Sequence, residues 1–188
     1  MVRSFRVAAG QPWFLPALLI AVSAFSSWEF ACITPFVALA VTAAYALPMS
    51  TAVLTSLGIW TANQSVGFAV LGYPWNANTL LWGIAVGAAA VGAAVLACAI
   101  FRLAIRNHVV AVAAAFVVAF GAYEGGLFLA ALALGGREDF TPAIIGHVAL
   151  LNLGWTVALI GTYEILRYAG LLSRKPTDAP AMLVASTR

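Results

Sequence analysis

Apolar positions fill the chain in long blocks, and polar positions appear mostly as short interruptions between them. The apolar runs over 13–26, 33–47, 49–72, 77–105, 109–134 and 141–168 predict six helices. The interruptions carry the signs of helix ends. Pro48 parts the second helix from the third, and Gly72-Tyr73-Pro74 ends the third. Asn76 or Asn78 can cap the fourth, and Thr141 followed by Pro142 opens the sixth as a cap and first-turn proline. The second helix is short, roughly 22 Å at the helical rise. It is expected to cross a membrane only with help from its neighbours, or to stay partly re-entrant.

Composition sets the solvent. The 188 residues are 64% hydrophobic and 8% charged, with a mean hydropathy of +1.02. A water-soluble domain needs roughly a quarter of its residues charged to coat its surface. The expected fold is therefore all-α: a polytopic membrane protein with one six-helix bundle over 1–170 and a polar, proline-containing tail over 171–188. No small-residue cleavage site precedes a polar mature start, so the first apolar run reads as a retained span.

The cations give an orientation. With both termini in the cytoplasm, Arg3, Arg6, Arg102, Arg106, Arg167, Arg174, Lys175 and Arg188 all fall on the inner side, and only Arg137 falls outside. Glu29, Glu138 and Asp139 then lie outside with it. The net charge of +3 has this explanation, and no basic stripe with interleaved aromatics suggests a nucleic acid. Lipid is the expected surrounding.

Polar groups at membrane depth are costly and so are functional candidates. Glu124, His147 and Asn152, with Trp60, Asn63 and Gln64 of the third helix, all fall in the middle to outer part of the bundle. The outer connections add Trp28, Glu29 and Cys32 from "SSWEFACITP", and Tyr73, Trp75, Asn76 and Asn78 from "GYPWNAN". Aromatic walls with a few convergent polar groups are how small-molecule sites are usually built. Each member also has a plain reading. His147 can bond a backbone carbonyl or Asn152, and the outer Trp and Tyr residues can form an interfacial belt. Glu164 has Arg167 at i+3, the spacing of a helical ion pair. Cys98, among alanines, reads as a small buried hydrophobe.

Enzyme motifs are missing: there is no Gly-x-Ser-x-Gly, paired-histidine motif or phosphate-binding loop. No intrinsic cofactor is expected. Cys32, Glu124 and His147 form a mixed ligand set suited to a transition metal. One exposed soft ligand, Cys32 or His147, can alternatively serve as axial ligand to the cobalt of a corrinoid. Gly83, Gly87, Ala88 and Gly92 make a small-residue stripe on the fourth helix, and Ala17 and Ala21 a smaller one on the first.

Six helices with both termini inside, a short second helix, the Ala17–Ala21 spacing and an outward-facing pocket resemble the substrate-binding S-components of energy-coupling-factor vitamin transporters. A cysteine beside the pocket is similar to the BtuM-type members of that group. The resemblance implies a bacterial inner-membrane uptake protein that binds a vitamin-like solute from outside. It passes the cobalt-ligand role for bound cobalamin to Cys32. It implies that Ala17 and Ala21 face a transmembrane coupling subunit, with an ATPase on a further chain, if such a partner exists, since the BtuM-type members are implied to import without a dedicated motor. A transition-metal permease and a non-transporting accessory subunit are the two rival readings.

Overall fold

A computed structural model describes residues 13–30, 34–103 and 105–172. Among them are six α-helices and no strand: α1 (Phe14–Phe30), α2 (Phe36–Ala46), α3 (Met49–Ala69), α4 (Ala77–Arg102), α5 (His108–Leu134) and α6 (Pro142–Tyr168). A 3₁₀ turn, Arg137–Asp139, joins α5 to α6. Helices α4, α5 and α6 are long and apolar enough to cross a membrane. The chain is a helical protein of membrane character. Most of the tail expected over 171–188 lies outside the described residues.

The first boundary differs from expectation for a local reason. Helix α1 continues through "SSWE" instead of stopping at residue 26, because the serines satisfy themselves inside the helix. Ser26 Oγ and Ser27 Oγ both donate to the Ser23 carbonyl, at 3.0 and 2.8 Å. Helix α2 begins three residues later than predicted, after Pro35. Helices α3 and α4 end three residues earlier than expected, at Ala69 and Arg102.

The short α2 is the centre of the bundle. Every residue from Phe36 to Ala44 is buried, and α3, α4, α5 and α6 all pack against it. It ends because Leu47, preceding Pro48, is extended rather than helical. A helix enclosed this way must have its end groups satisfied by protein. At its start Phe36 N–H donates to the Thr34 carbonyl at 2.8 Å. Asn152 of α6 reaches across so that its Oδ1 accepts from Ala38 N–H at 3.2 Å. At the far end Tyr45 donates to Glu164 Oε1 of α6 at 2.7 Å. The expected Glu164–Arg167 pair is present at 2.8 Å and completes that cluster. Helix α6 is thus fixed to α2 at both ends, while it touches α5 only slightly.

Elsewhere small residues set the spacing. Ala90, Ala93, Ala94 and Ala97 of α4 are buried in one cluster with Ala115 and Ala119 of α5. The expected glycine stripe divides by role. A Cβ at Gly83 would lie 2.7 Å from Gln64 Oε1, and one at Gly87 would lie 2.8 Å from the Trp60 ring, so both positions admit α3 side chains. Ala88 is exposed, and a Cβ at Gly92 would meet nothing within 4 Å among the described residues. Cys98 is buried, as expected of a small hydrophobe.

Asn152→Leu leaves the Ala38 N–H unpaired in the core and should lower stability by about 1–3 kcal/mol. Tyr45→Phe should cost about 1 kcal/mol. The two groups are at opposite ends of α2, so the double variant should be additive to within about 0.5 kcal/mol. Unfolding in mixed detergent micelles measures all three.

Candidate functional site

Above the start of α2, where the chain ends of α1, α3 and α4 meet, the bundle leaves a partly open cavity of about 200 Å³. Its floor is Thr34 and Phe36. Asn63, Gln64 and Tyr73 come from α3 and the turn after it, and Thr79, Trp82, Gly83 and Val86 from one face of α4. Connectivity puts this cavity at the end of the bundle opposite Arg102, Arg106 and Arg167. The 3₁₀ turn lies at the same end, since a Cβ at Gly136 would be 3.7 Å from Trp82.

One buried polar network holds the wall. Asn63 is buried and donates through Nδ2 to Ser27 Oγ at 2.9 Å and to Thr34 Oγ1 at 2.8 Å. Ser27 Oγ and Thr34 Oγ1 are 3.0 Å apart, and Gln64 Nε2 donates to Asn63 Oδ1 at 3.1 Å. Ser23 adds a bond from its hydroxyl to the Ile59 carbonyl at 3.2 Å. Three helices therefore meet at Asn63: α1 through Ser27, the entry to α2 through Thr34, and α3 itself. On the α4 side, the Trp60 indole N–H donates to the Gly83 carbonyl at 2.8 Å, which fixes the height of α4 against α3. Asn76 caps α4 by accepting from Thr79 N–H at 2.9 Å, so Thr79 begins the face that lines the cavity.

The sequence candidates separate into three groups. Asn63, Gln64 and Tyr73 line the cavity, and Trp60 braces it from below. Asn152 is buried and engaged with α2, its Nδ2 donating back to the Val148 carbonyl at 3.0 Å. The others lie apart from the wall. Trp28 is 66% exposed on α1, and Trp75 is 77% exposed with its ring 4.4 Å from that of Phe68. His147 is exposed on α6, and Glu124 is half-buried on α5, outside the cavity lining. Cys32 lies outside the described residues. Among those described, no three His, Cys, Asp or Glu side chains gather where they would hold a metal ion. Ala17 and Ala21 are both exposed on α1.

Sequence reasoning missed Thr34, Phe36, Thr79, Trp82 and Val86. The α4 set carries a readable signal, because positions 79, 82, 83 and 86 recur at helical spacing on one face. A larger depression of about 560 Å³ lies over the α5–α6 turn, lined by Phe128, Gly135, Gly136, Arg137 and Glu138. It is a shallow surface groove with exposed charges, and it lacks the convergent buried amides of the smaller cavity.

No protein-family model, characterised relative or solved structure matches this chain. The reading of the site therefore rests on its own geometry. Asn63→Ala should destabilise the fold by about 1–3 kcal/mol. Combined with Ser27→Ala it should show a coupling of roughly 0.5–3 kcal/mol, because both variants break the same network. Additive losses would mean that the two side chains act separately.

Proposed function

We propose that this chain is the solute-binding component of a bacterial inner-membrane uptake system, with both termini cytoplasmic and the cavity open to the outer side. The observation that carries the reading is the cavity wall, which combines three aromatic rings with two side-chain amides held by a buried network. The orientation is supported by the arginines at the opposite end of the bundle. The sequence carries no nucleotide-binding motif, so any motor lies on another chain. The exposed Ala17 and Ala21 on α1 are the proposed contact with a coupling subunit, through which an ATPase would act.

The cavity volume favours a small solute. At about 200 Å³ it is smaller than the ~300–1,000 Å³ of sites for drug-sized molecules. A corrinoid macrocycle exceeds that space, and its proposed cobalt ligand, Cys32, lies outside the described residues. A smaller vitamin-like molecule fits the reading better than cobalamin does. The metal-permease alternative draws no support from the positions of Glu124 and His147, which the described residues do not join to a third ligand.

The test is a thermal-shift screen of small uncharged solutes on protein in lipid nanodiscs. A ligand at about 100 times its Kd should stabilise the protein by about 2.7 kcal/mol. Thr79→Trp, which fills the cavity from its rim, should abolish that stabilisation while leaving the unliganded melting temperature close to wild type. A stabilising solute indifferent to this substitution would place binding elsewhere. Incubation with cobalamin separates the two solute classes: the small-solute reading predicts an unchanged absorption spectrum, whereas a shift lost in Cys32→Ala would favour the corrinoid.

A further inference from the structure

Resting on the solute-binding reading above, we infer that the cavity selects an uncharged molecule that donates a hydrogen bond to it. The inference comes from counting protons in the wall. The Ser27 hydroxyl has one proton, and the Ser23 carbonyl, which can only accept, takes it at 2.8 Å. Ser27 Oγ is therefore an acceptor toward both of its other neighbours, Asn63 Nδ2 at 2.9 Å and Thr34 Oγ1 at 3.0 Å. That commits the single Thr34 proton to Ser27. The two Asn63 amide protons go to Ser27 and Thr34, and Asn63 Oδ1 takes a proton from Gln64 Nε2.

The chain of donors fixes the orientation of the last amide. Gln64 must turn Nε2 toward Asn63, which leaves Oε1 over Gly83, at the position a Cβ there would approach to 2.7 Å. Among the described residues no donor reaches Gln64 Oε1. Among the described residues Thr34 Oγ1 accepts from Asn63 alone, so its second lone pair is likewise unclaimed by them. Both groups line the cavity. A solute entering it meets two acceptors whose orientation is locked, and it must supply the hydrogen or leave them dry and unpaired.

Charge is excluded by the same wall. Among the described residues no carboxylate, ammonium, guanidinium or imidazole lines the cavity, and Glu124 and His147 are elsewhere. An ion would lose its hydration without gaining a countercharge. The rings of Phe36, Tyr73 and Trp82 instead offer cover for a flat apolar body. The ligand class is a small, uncharged ring compound bearing an N–H or O–H.

Four probes of similar size test this by calorimetric titration of the full chain in nanodiscs, with empty nanodiscs subtracted. Benzamide is uncharged and donates through its N–H₂. Acetophenone has the same shape with a methyl group in place of the amine. Benzoate and benzylammonium carry opposite charges. Saturable binding is expected for benzamide, with acetophenone at least about tenfold weaker and neither ion bound. In Gln64→Met the preference for benzamide over acetophenone should fall to less than about threefold. Thr79→Trp should remove binding altogether. Equal binding of benzamide and acetophenone would overturn the donor requirement while leaving the solute site in place. Tighter binding of either ion would overturn the neutral class. Absence of binding by all four probes, or binding untouched by Thr79→Trp, would overturn the site itself.

Discussion

The constraint on which the bundle depends is the shortness of α2. Its 11 residues span roughly 16 Å at the helical rise. Its neighbours α3 to α6 run to between 21 and 27 residues. A helix that ends inside an apolar environment cannot leave its terminal N–H and C=O groups to water. Protein must supply the partners. At the start of α2, α6 supplies such a partner, Asn152 Oδ1 for the Ala38 N–H, and at the far end the Tyr45 hydroxyl ties α2 to Glu164 of α6. Those two contacts explain why a helix that barely touches α5 is still part of the bundle.

The same shortness makes the cavity. Where α2 begins, below the ends of the longer helices, space remains between α3 and α4, and Thr34 and Phe36 become its floor. The buried network around Asn63 ties α1, the entry to α2, and α3 together at that level. Gly83 and Gly87 then let α4 close the other side, one against Gln64 and one against Trp60. Structure and proposed function share these groups. The hydrogen bonds that hold the wall also decide which of its atoms are left facing a solute.

Much of this was legible from the residues alone. Long apolar runs, Pro48, and the caps at Asn76 and Thr141 defined all six helices to within a few residues. Asn63 and Gln64 stood out because polar groups are expensive in an apolar setting, and Tyr73 as an aromatic of an outer connection. Other positions were not legible, for physical reasons. Depth along a helix is readable from sequence, but the direction a side chain faces depends on which neighbour it packs against. His147 and Asn152 are little more than a turn apart on α6, yet the first is exposed and the second is buried against α2. The stretch "SSWE" read as the end of the first helix. The hydroxyls of Ser23, Ser26 and Ser27 fold back onto the Ser23 carbonyl or across to α3, and the helix continues. Phe36 and Trp82 were hidden because an aromatic in an apolar run carries no mark of a cavity beside it.

Amide hydrogen–deuterium exchange of the protein in nanodiscs, resolved along 36–46, tests the enclosed α2 most directly. The segment from Ala38 to Ala44 should exchange more slowly than any other in the chain. Asn152→Leu should speed exchange at its start and leave the protection of α4 unchanged. Exchange across 36–46 as fast as at the ends of α3 and α4 would contradict an α2 enclosed by its neighbours, and with it the floor of the cavity.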